Sequence, residues 1–371
     1  MRIAMIGHKE FPSRAGGVEV VVYELATRLT ARGVDVTVYN RGKEKHHNRY
    51  KELGVNVVRS FTPKNKSLNA MVYSFVATFH ALFGKYDIIH YHAIGPCVPL
   101  VIAHIFGRKT VATIHGLNWK VDKWGSFASK YLRLGEKIAA KYADTVITLS
   151  EGMRQYFLDT YDRDTVLVKN AVSPIPETPD DIIREKYGLE KGSYVLYIGR
   201  LSPEKGIQDL ISAYRKSGIA KKLVVAGEAA DSAFLDDLRA LAGDGGDVMF
   251  AGLVSGELMN SLYCNTALYV LPSHTEGLAL TLLEALSCGA DCLVSNIEEN
   301  TSVAGKYAET FESGNVDDLA DKLVKCADRI KVPSESEEQR KYVSANYGYD
   351  RVIDEHMKIY NALVRKEERN A

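Results

Sequence analysis

Short apolar runs alternate with amphipathic stretches along most of this chain, and the alternation breaks once and then restarts. Before the break, Arg2–Ile6, Val34–Tyr39, Asn56–Arg59, Ile88–Tyr91, Thr110–Ile114 and Thr145–Thr148 read as strands. Helical periodicity lies between them, as in Val18–Ala31 and Tyr131–Lys141, with Gly33 closing the first helix. After the break, Tyr194–Ile198, Lys222–Ala226, Asp247–Phe250, Ala267–Leu271 and Cys292–Ser295 read as strands. The helices between those read as Ile207–Lys216, Phe234–Ala242, Leu258–Tyr263 and Leu280–Cys288. Apolar strands separated by helices imply parallel sheets covered on both faces. The break itself is "NAVSPIPETPDD", a short polar segment from Asn170 with three prolines, which reads as a linker. With 371 residues, too many for one comfortable core, the expectation is two Rossmann-like doubly wound α/β domains, 1–172 and 173–348, facing a central cleft. The charged helical stretch Arg340–Lys366 is expected to lie along the surface or, as 349–371, to pack back on the first domain.

Charge is balanced overall but not locally. Residues 1–170 hold 25 Lys/Arg against 14 Asp/Glu, so the whole chain's balance of zero leaves the remainder as acidic as this part is basic. A basic half suits an anionic surface or substrate, unless the two halves serve only to attract each other. The five cysteines, Cys97, Cys264, Cys288, Cys292 and Cys326, form no CxxC pair, so no structural zinc is expected. With an odd cysteine count, no signal peptide and no run of eighteen apolar residues, the expectation is a cytoplasmic protein.

The residues that could carry chemistry sit just after strands, where such sheets bind ligands. In "GHKEFPSRAGGVE", Gly16 and Gly17 precede a helix, so backbone amides could approach a phosphate there, or the pair could serve a turn alone. The spacing does not match GxGxxG, which argues against a dinucleotide oxidoreductase. In "YIGRLSPEKGI", Gly199 is followed by Arg200 and Lys205, a fork and a point charge suited to a diphosphate, or equally a solvated turn. In "SHTEGLALTLLEALSCG", Glu276 precedes a helix and Glu284 sits inside it among leucines. A carboxylate there needs a partner, and the two hydroxyls of a ribose diol would donate to it. Free amides at Leu278–Leu280 could hold an anion. In "TIHGLNW", His115 follows a strand, and His90 and His92 flank Tyr91 on the preceding one; no carboxylate–histidine spacing supports a metal.

Taken together, Gly16-Gly17, His115-Gly116, "GRLSPEKG" at 199–206 and "EGLALTLLE" at 276–284 resemble the retaining glycosyltransferases of family four, which have the GT-B fold. The resemblance implies a nucleotide sugar of UDP, GDP or dTDP type as donor, with no cofactor and no metal. It implies that Arg200 and Lys205 hold the diphosphate, Glu284 the ribose, and Glu276 the sugar. Backbone at Gly277, Leu278, Ala279 and Leu280 would meet sugar or phosphate, and Leu253 the base. Gly16 and Gly17 would close over the diphosphate, and His115 would stand by the donor sugar or acceptor. His115, Arg200, Lys205 and Glu276 are thus the expected catalytic set. Two departures are visible: Ala290 stands where the family often has Pro, and Asn170-Ala171-Val172 replaces the usual Asn-Gly-Val.

On the acceptor side, residues 63–85 mix Met71, Phe75, Phe79, Leu82 and Phe83 with lysines at both ends, which suits either an anionic membrane surface or a sheet-covering helix. "NWKVDKWGSF" carries both tryptophans, and Asn118, Trp119, Lys120 and Trp124 are expected to bind the acceptor. The reading is transfer of a sugar to a glycan or polyprenyl-linked acceptor in cell-surface polysaccharide or glycolipid synthesis, at the inner face of the membrane, with no nucleic acid involved. A nucleotide-sugar 2-epimerase on the same fold and an inactive GT-B partner protein remain open at this point.

Overall fold

The computed structural model describes residues 1–371 except 15, 43–47, 64–65, 118–125, 230, 278, 330–331 and 369–371. The chain divides into two compact units, Met1–Asn170 with Tyr349–Ala371, and Ala171–Gly348.

The first unit runs β1 (Arg2–Ile6), α1 (Gly17–Ala31), β2 (Asp35–Gly42), β3 (Arg49–Glu52), β4 (Val55–Phe61), α2 (Lys66–Leu82), β5 (Ile88–His92), α3 (Leu100–Ile105), β6 (Lys109–Ile114), α4 (Ser126–Tyr142), β7 (Thr145–Thr148), α5 (Glu151–Tyr161) and β8 (Val166–Leu167). Its strand order is β3-β4-β2-β1-β5-β6-β7-β8. All pairs are parallel except β3 with β4. Both faces are apolar, as parallel strands require. One face buries Tyr39, Tyr73, Ala77, Leu100 and Phe157. The other buries Val22, Leu25, Val36 and Val57. The chain leaves β1 toward β2 and later returns to the opposite side of β1 with β5, so the direction of winding reverses between β1 and β5.

The second unit runs α6 (Asp181–Tyr187), β9 (Tyr194–Ile198), α7 (Ile207–Ser217), β10 (Lys222–Ala226), α8 (Ser232–Ala242), β11 (Val248–Gly252), α9 (Gly256–Asn265), β12 (Leu268–Leu271), α10 (Leu280–Cys288), β13 (Cys292–Ser295), α11 (Glu298–Ala304), β14 (Glu309–Phe311), α12 (Val316–Ala327) and α13 (Pro333–Tyr347). Six parallel strands are ordered β11-β10-β9-β12-β13-β14. Here the winding reverses between β9 and β12.

Two segments carry more structure than the sequence reading gave them. The proline-rich stretch after Asn170 is not a free linker. The Val172 amide donates to the Tyr347 carbonyl at 2.9 Å, the Ile175 amide to Ser287 Oγ at 3.2 Å, and Ser261 Oγ to the Pro179 carbonyl at 2.7 Å. These bonds fasten it to the second unit. The helical stretch 340–366 is shared by two helices. Gly348, with extended backbone at φ −77° and ψ 142°, ends α13. The chain then enters the first unit as α14 (Tyr349–Glu368). There Ile353, Tyr360 and Leu363 join the face lined by α1, Arg28 stacks 4.5 Å over Tyr349, and Arg32 pairs with Asp350 and Asp354.

Candidate functional site

In the second unit the residues of interest collect at the reversal between β9 and β12, where open parallel sheets bind ligands. The first of them follow β9, whose five residues are all buried. The buried Tyr197 hydroxyl donates to the Arg200 carbonyl at 2.9 Å and folds the loop back on its strand. The Gly199 carbonyl packs so closely on Gly227 that a Cβ at Gly227 would lie 1.8 Å from it. The chain then makes one 3-10 turn, Pro203–Lys205, and reaches Gly206 at φ +65°. A Cβ at Gly206 would come within 2.2 Å of the Pro272 carbonyl. The loop after β9 is thereby pressed against the loop after β12.

That contact unites residues 71 apart in sequence. Lys205 Nζ stands 2.5 Å from Glu276 Oε1, with side chains 20% and 9% exposed. The fully buried Ser273 Oγ donates to the same oxygen at 2.7 Å. Lys205 and Glu276, assigned separately to diphosphate and sugar, therefore face each other. Both bonds fall on Oε1, which leaves Glu276 Oε2 for a further donor. Arg200 is exposed and forms no ion pair among the described residues.

The other wall is α10. Its N-cap, Ala279, is buried and supplies no side-chain cap, so the first-turn amides at Ala279 and Leu280 lack a side-chain acceptor. Such an end attracts negative charge. One turn on, Glu284 is half-buried and accepts a hydrogen bond from Tyr263 Oη of α9 at 3.0 Å. Tyr263 is fully buried, and burial followed by the Glu284 charge holds its phenol well above the ordinary range, so it stays a donor. A charge among leucines is thus supported from behind. Gly277 is half-buried beside Glu276, and Leu253 stands 65% exposed after Gly252. Leu278 lies outside the described residues.

In the first unit a second group forms at the reversal between β1 and β5. His8 follows β1, His90 lies within β5 and His92 ends it, His115 follows β6, and His356 arrives on α14. The rings run His356, His90, His92, His115 with centroid separations of 5.9, 4.1 and 5.5 Å. His90 bonds Tyr360 Oη and Thr113 Oγ1, both at 2.7 Å, which accounts for its place in the sheet. His92 Nδ1 lies 3.2 Å from His115 Nε2, and His8 Nε2 lies 3.0 Å from Asn40 Oδ1. Burial lowers His8, His115 and His356 to about 4, and His90 and His92 well below their ordinary value. All five are neutral near pH 7. Among the described residues they form no metal-binding group.

Gly16 is the N-cap of α1, but the Glu19 carboxylate already faces it: a Cβ at Gly16 would lie 2.5 Å from Oε2, while Oε1 accepts the Lys9 amide at 3.2 Å. Asn118, Trp119, Lys120 and Trp124 lie outside the described residues. Sequence reasoning missed Tyr263, Ser273, His356 and the His92–His115 contact. Only the Ser273 position, three residues before Glu276, carried a local hint.

Two parallel-sheet units, each with its polar residues at a winding reversal, define the GT-B class of α/β fold. The UDP-glucose complex of HepE from Anabaena matches at a TM-score of 0.80 and 18% identity, covering 98% of this chain and all of that one. The model for Glycosyltransferase Family 4 matches residues 15–174, and that for Glycosyl transferases group 1 matches 179–342. An uncharacterized glycosyltransferase of Methanocaldococcus jannaschii is 27% identical over 80% of this chain and 81% of its own. The D-inositol 3-phosphate glycosyltransferase of Acidothermus cellulolyticus is 28% identical over 80% of this chain and 75% of its own. The chain belongs to the family-four glycosyltransferases. No helix among the described residues is long and apolar enough to cross a membrane.

Proposed function

We propose that the chain transfers a sugar, with retention, from a nucleoside diphosphate donor to a hydroxyl of a glycan or lipid-linked acceptor. The observation that carries this is the convergence of Arg200, the Lys205–Glu276 pair, the uncapped end of α10 and Glu284 at one reversal point. A nucleotide sugar needs each of these. Arg200 and Lys205 supply positive charge for the diphosphate as it leaves, and the α10 amides add fixed dipoles, so the site needs no metal for that purpose. Glu284 takes the ribose diol, with Leu253 beside the base. Glu276 Oε2 takes a sugar hydroxyl.

The sugar C1–O bond to the diphosphate breaks while the acceptor oxygen bonds to C1 on the same face. The acceptor proton passes to the departing phosphate oxygen. That the HepE complex holds UDP-glucose supports uridine as the first base to test. On sequence grounds, Gly16 and Gly17 are assigned to the diphosphate, His115 to the donor sugar or the acceptor, and Asn118, Trp119, Lys120 and Trp124 to the acceptor.

The test is calorimetric titration of UDP, GDP, dTDP and ADP into the full chain and into Arg200→Ala and Glu284→Ala. One nucleotide should bind and should weaken in both variants. No binding by any nucleotide would overturn the donor assignment. An inverted anomeric linkage in the product would overturn retention, and epimerised donor formed without acceptor would overturn transfer.

We also propose a membrane contact for the first unit, on a surface that keeps Phe79 and Phe83 of the expected set. In α2, Tyr73, Ala77 and Ala81 cover the sheet, and the expected membrane residue Leu82 is buried with them. Phe79 and Phe83 stay 47% and 87% exposed. Arg108 donates to the Leu82 carbonyl at 2.5 Å, bringing the α3 end, with exposed Ile105 and Phe106, beside Phe83. Exposed Lys130, Arg133, Lys137 and Lys141 follow along α4. Aromatic tips beside a cationic row suit an anionic bilayer. These helix ends lie by the amino ends of the strands, so the contact would anchor the chain without laying the bilayer against His115.

A further inference from the structure

The neutral histidines of the first unit are arranged so that one fixes where another carries its proton. His92 Nδ1 faces His115 Nε2 at 3.2 Å. Neither ring is charged, so one nitrogen of this pair holds the hydrogen and the other a lone pair. The choice is settled at the far side of His92. Its Nε2 is fully buried and has no hydrogen-bond partner among the described residues. A buried N–H without an acceptor is rarer and costlier than a bare lone pair. The His92 proton therefore belongs on Nδ1, where His115 Nε2 accepts it, and the His115 proton is left on Nδ1.

The backbone prevents His92 from escaping this geometry. A Cβ at Gly7 would lie 2.1 Å from the His92 carbonyl, so β1 closes against it. The next residue, Ala93, holds φ at +70°, in the left-handed region that a non-glycine residue enters at a cost of about 1 kcal/mol. Its amide donates to the Thr113 carbonyl at 2.9 Å, pinning the end of β5 to the strand that delivers His115. On the other face the His90 ring, held at both nitrogens, stacks 4.1 Å away.

We infer that His92 is a positioning residue that holds His115 in its Nδ1–H tautomer, so that His115 offers substrate a hydrogen-bond donor and not a base. The substrate half rests on the transferase reading above; the tautomer half does not. The partner is an oxygen with lone pairs to share, a sugar hydroxyl or a phosphoryl oxygen.

The experiment is long-range proton–nitrogen NMR on the full chain labelled with 15N-histidine, with His115 assigned by the signals lost in His115→Gln. The expected result is a protonated Nδ1 on His115 in the wild type. In His92→Phe the proton moves wholly or partly to Nε2. In His92→Asn, whose amide nitrogen can stand where Nδ1 stood, the wild-type tautomer returns. A protonated Nε2 in the wild type, or one tautomer in all three proteins, overturns the inference. If His92→Phe does not fold, the wild type and His92→Asn decide it alone.

For the substrate half, kcat should fall about tenfold in His92→Phe, the worth of one hydrogen bond, and recover in His92→Asn. Nucleoside diphosphate affinity should change far less than kcat in either, because Arg200, Lys205 and Glu284, its main contacts, lie in the second unit. An unchanged kcat with an altered tautomer overturns that half. A wild type that binds no nucleotide overturns the transferase reading and leaves the tautomer result standing.

Discussion

Removing Glu284 should do two separable things. The Glu284→Ala change deletes the carboxylate that the Tyr263 hydroxyl meets at 3.0 Å. Tyr263 is fully buried, so its hydroxyl is left without this acceptor, at a cost of about 1–3 kcal/mol. For a unit of this size, each kcal/mol moves the midpoint by about 2–4 °C. The single variant should therefore melt several degrees low and still fold. Adding Tyr263→Phe removes the stranded hydroxyl, and loss of both partners is close to neutral. The double variant should recover most of the midpoint. Nucleotide binding should behave otherwise: hydrogen bonds to a charged group are worth about 1.5–3 kcal/mol, so affinity should drop between tenfold and a hundredfold and stay low in the double variant. The assays are thermal unfolding and calorimetric titration of the two single variants and the double. Additive midpoints would refute the pairing across α9 and α10. Binding that recovers along with stability would refute the direct role of Glu284, because its loss would then act only through the fold.

Three further outcomes follow from the same structure. The four buried histidines and the half-buried His115 have folded pKa values below the unfolded value of 6.5, so the unfolded chain binds protons first as pH falls; their stabilisation is complete above pH 6.5 and is lost toward 4, by about 1.4 kcal/mol per group per pH unit. Thermal midpoints should decline steeply from pH 6.5 to 5, and a flat profile would contradict their neutrality. Cys264, half-buried and lowered to about 7 chiefly by a hydrogen bond from the Cys288 thiol, should be alkylated by iodoacetamide at a rate that rises through pH 7 and levels off, read by peptide mass spectrometry; a rise centred near 9 would count against it. Phe83→Ser with Phe106→Ser should reduce co-sedimentation with phosphatidylglycerol vesicles several-fold and leave nucleotide affinity unchanged, whereas equal co-sedimentation would remove this patch as the membrane contact.

The parts of the fold that could be read in sequence are those with local signatures. Strands such as Tyr194–Ile198 and Cys292–Ser295 are short apolar runs bounded by glycine or polar residues, and the structure repeats them residue for residue. Glu284 stands out because charge inside an apolar helix has few structural explanations, and Arg200, Lys205 and Glu276 because they lie in loops at the carboxyl ends of strands, where such sheets bind ligands. What escaped depends on pairs distant in sequence. Nothing near Tyr263 announces Glu284, and nothing in the tail announces that Tyr360 will meet His90. The edge strand β3 is four alternating residues on an antiparallel edge, too short to rise above its surroundings.

The return of α14 to the first unit sets an order of events during synthesis. Residues 171–348 are continuous and bring all their own strands, so that unit can close as soon as it leaves the ribosome. The unit begun first cannot. Its sheet face carrying Val22, Leu25 and Val36 lacks Ile353, Tyr360 and Leu363 until nearly two hundred further residues have been made. At ordinary translation speeds that is a wait of roughly 10–40 s with an apolar surface uncovered. The later-made half matures first, and the earlier half must be kept from aggregating until its last helix arrives.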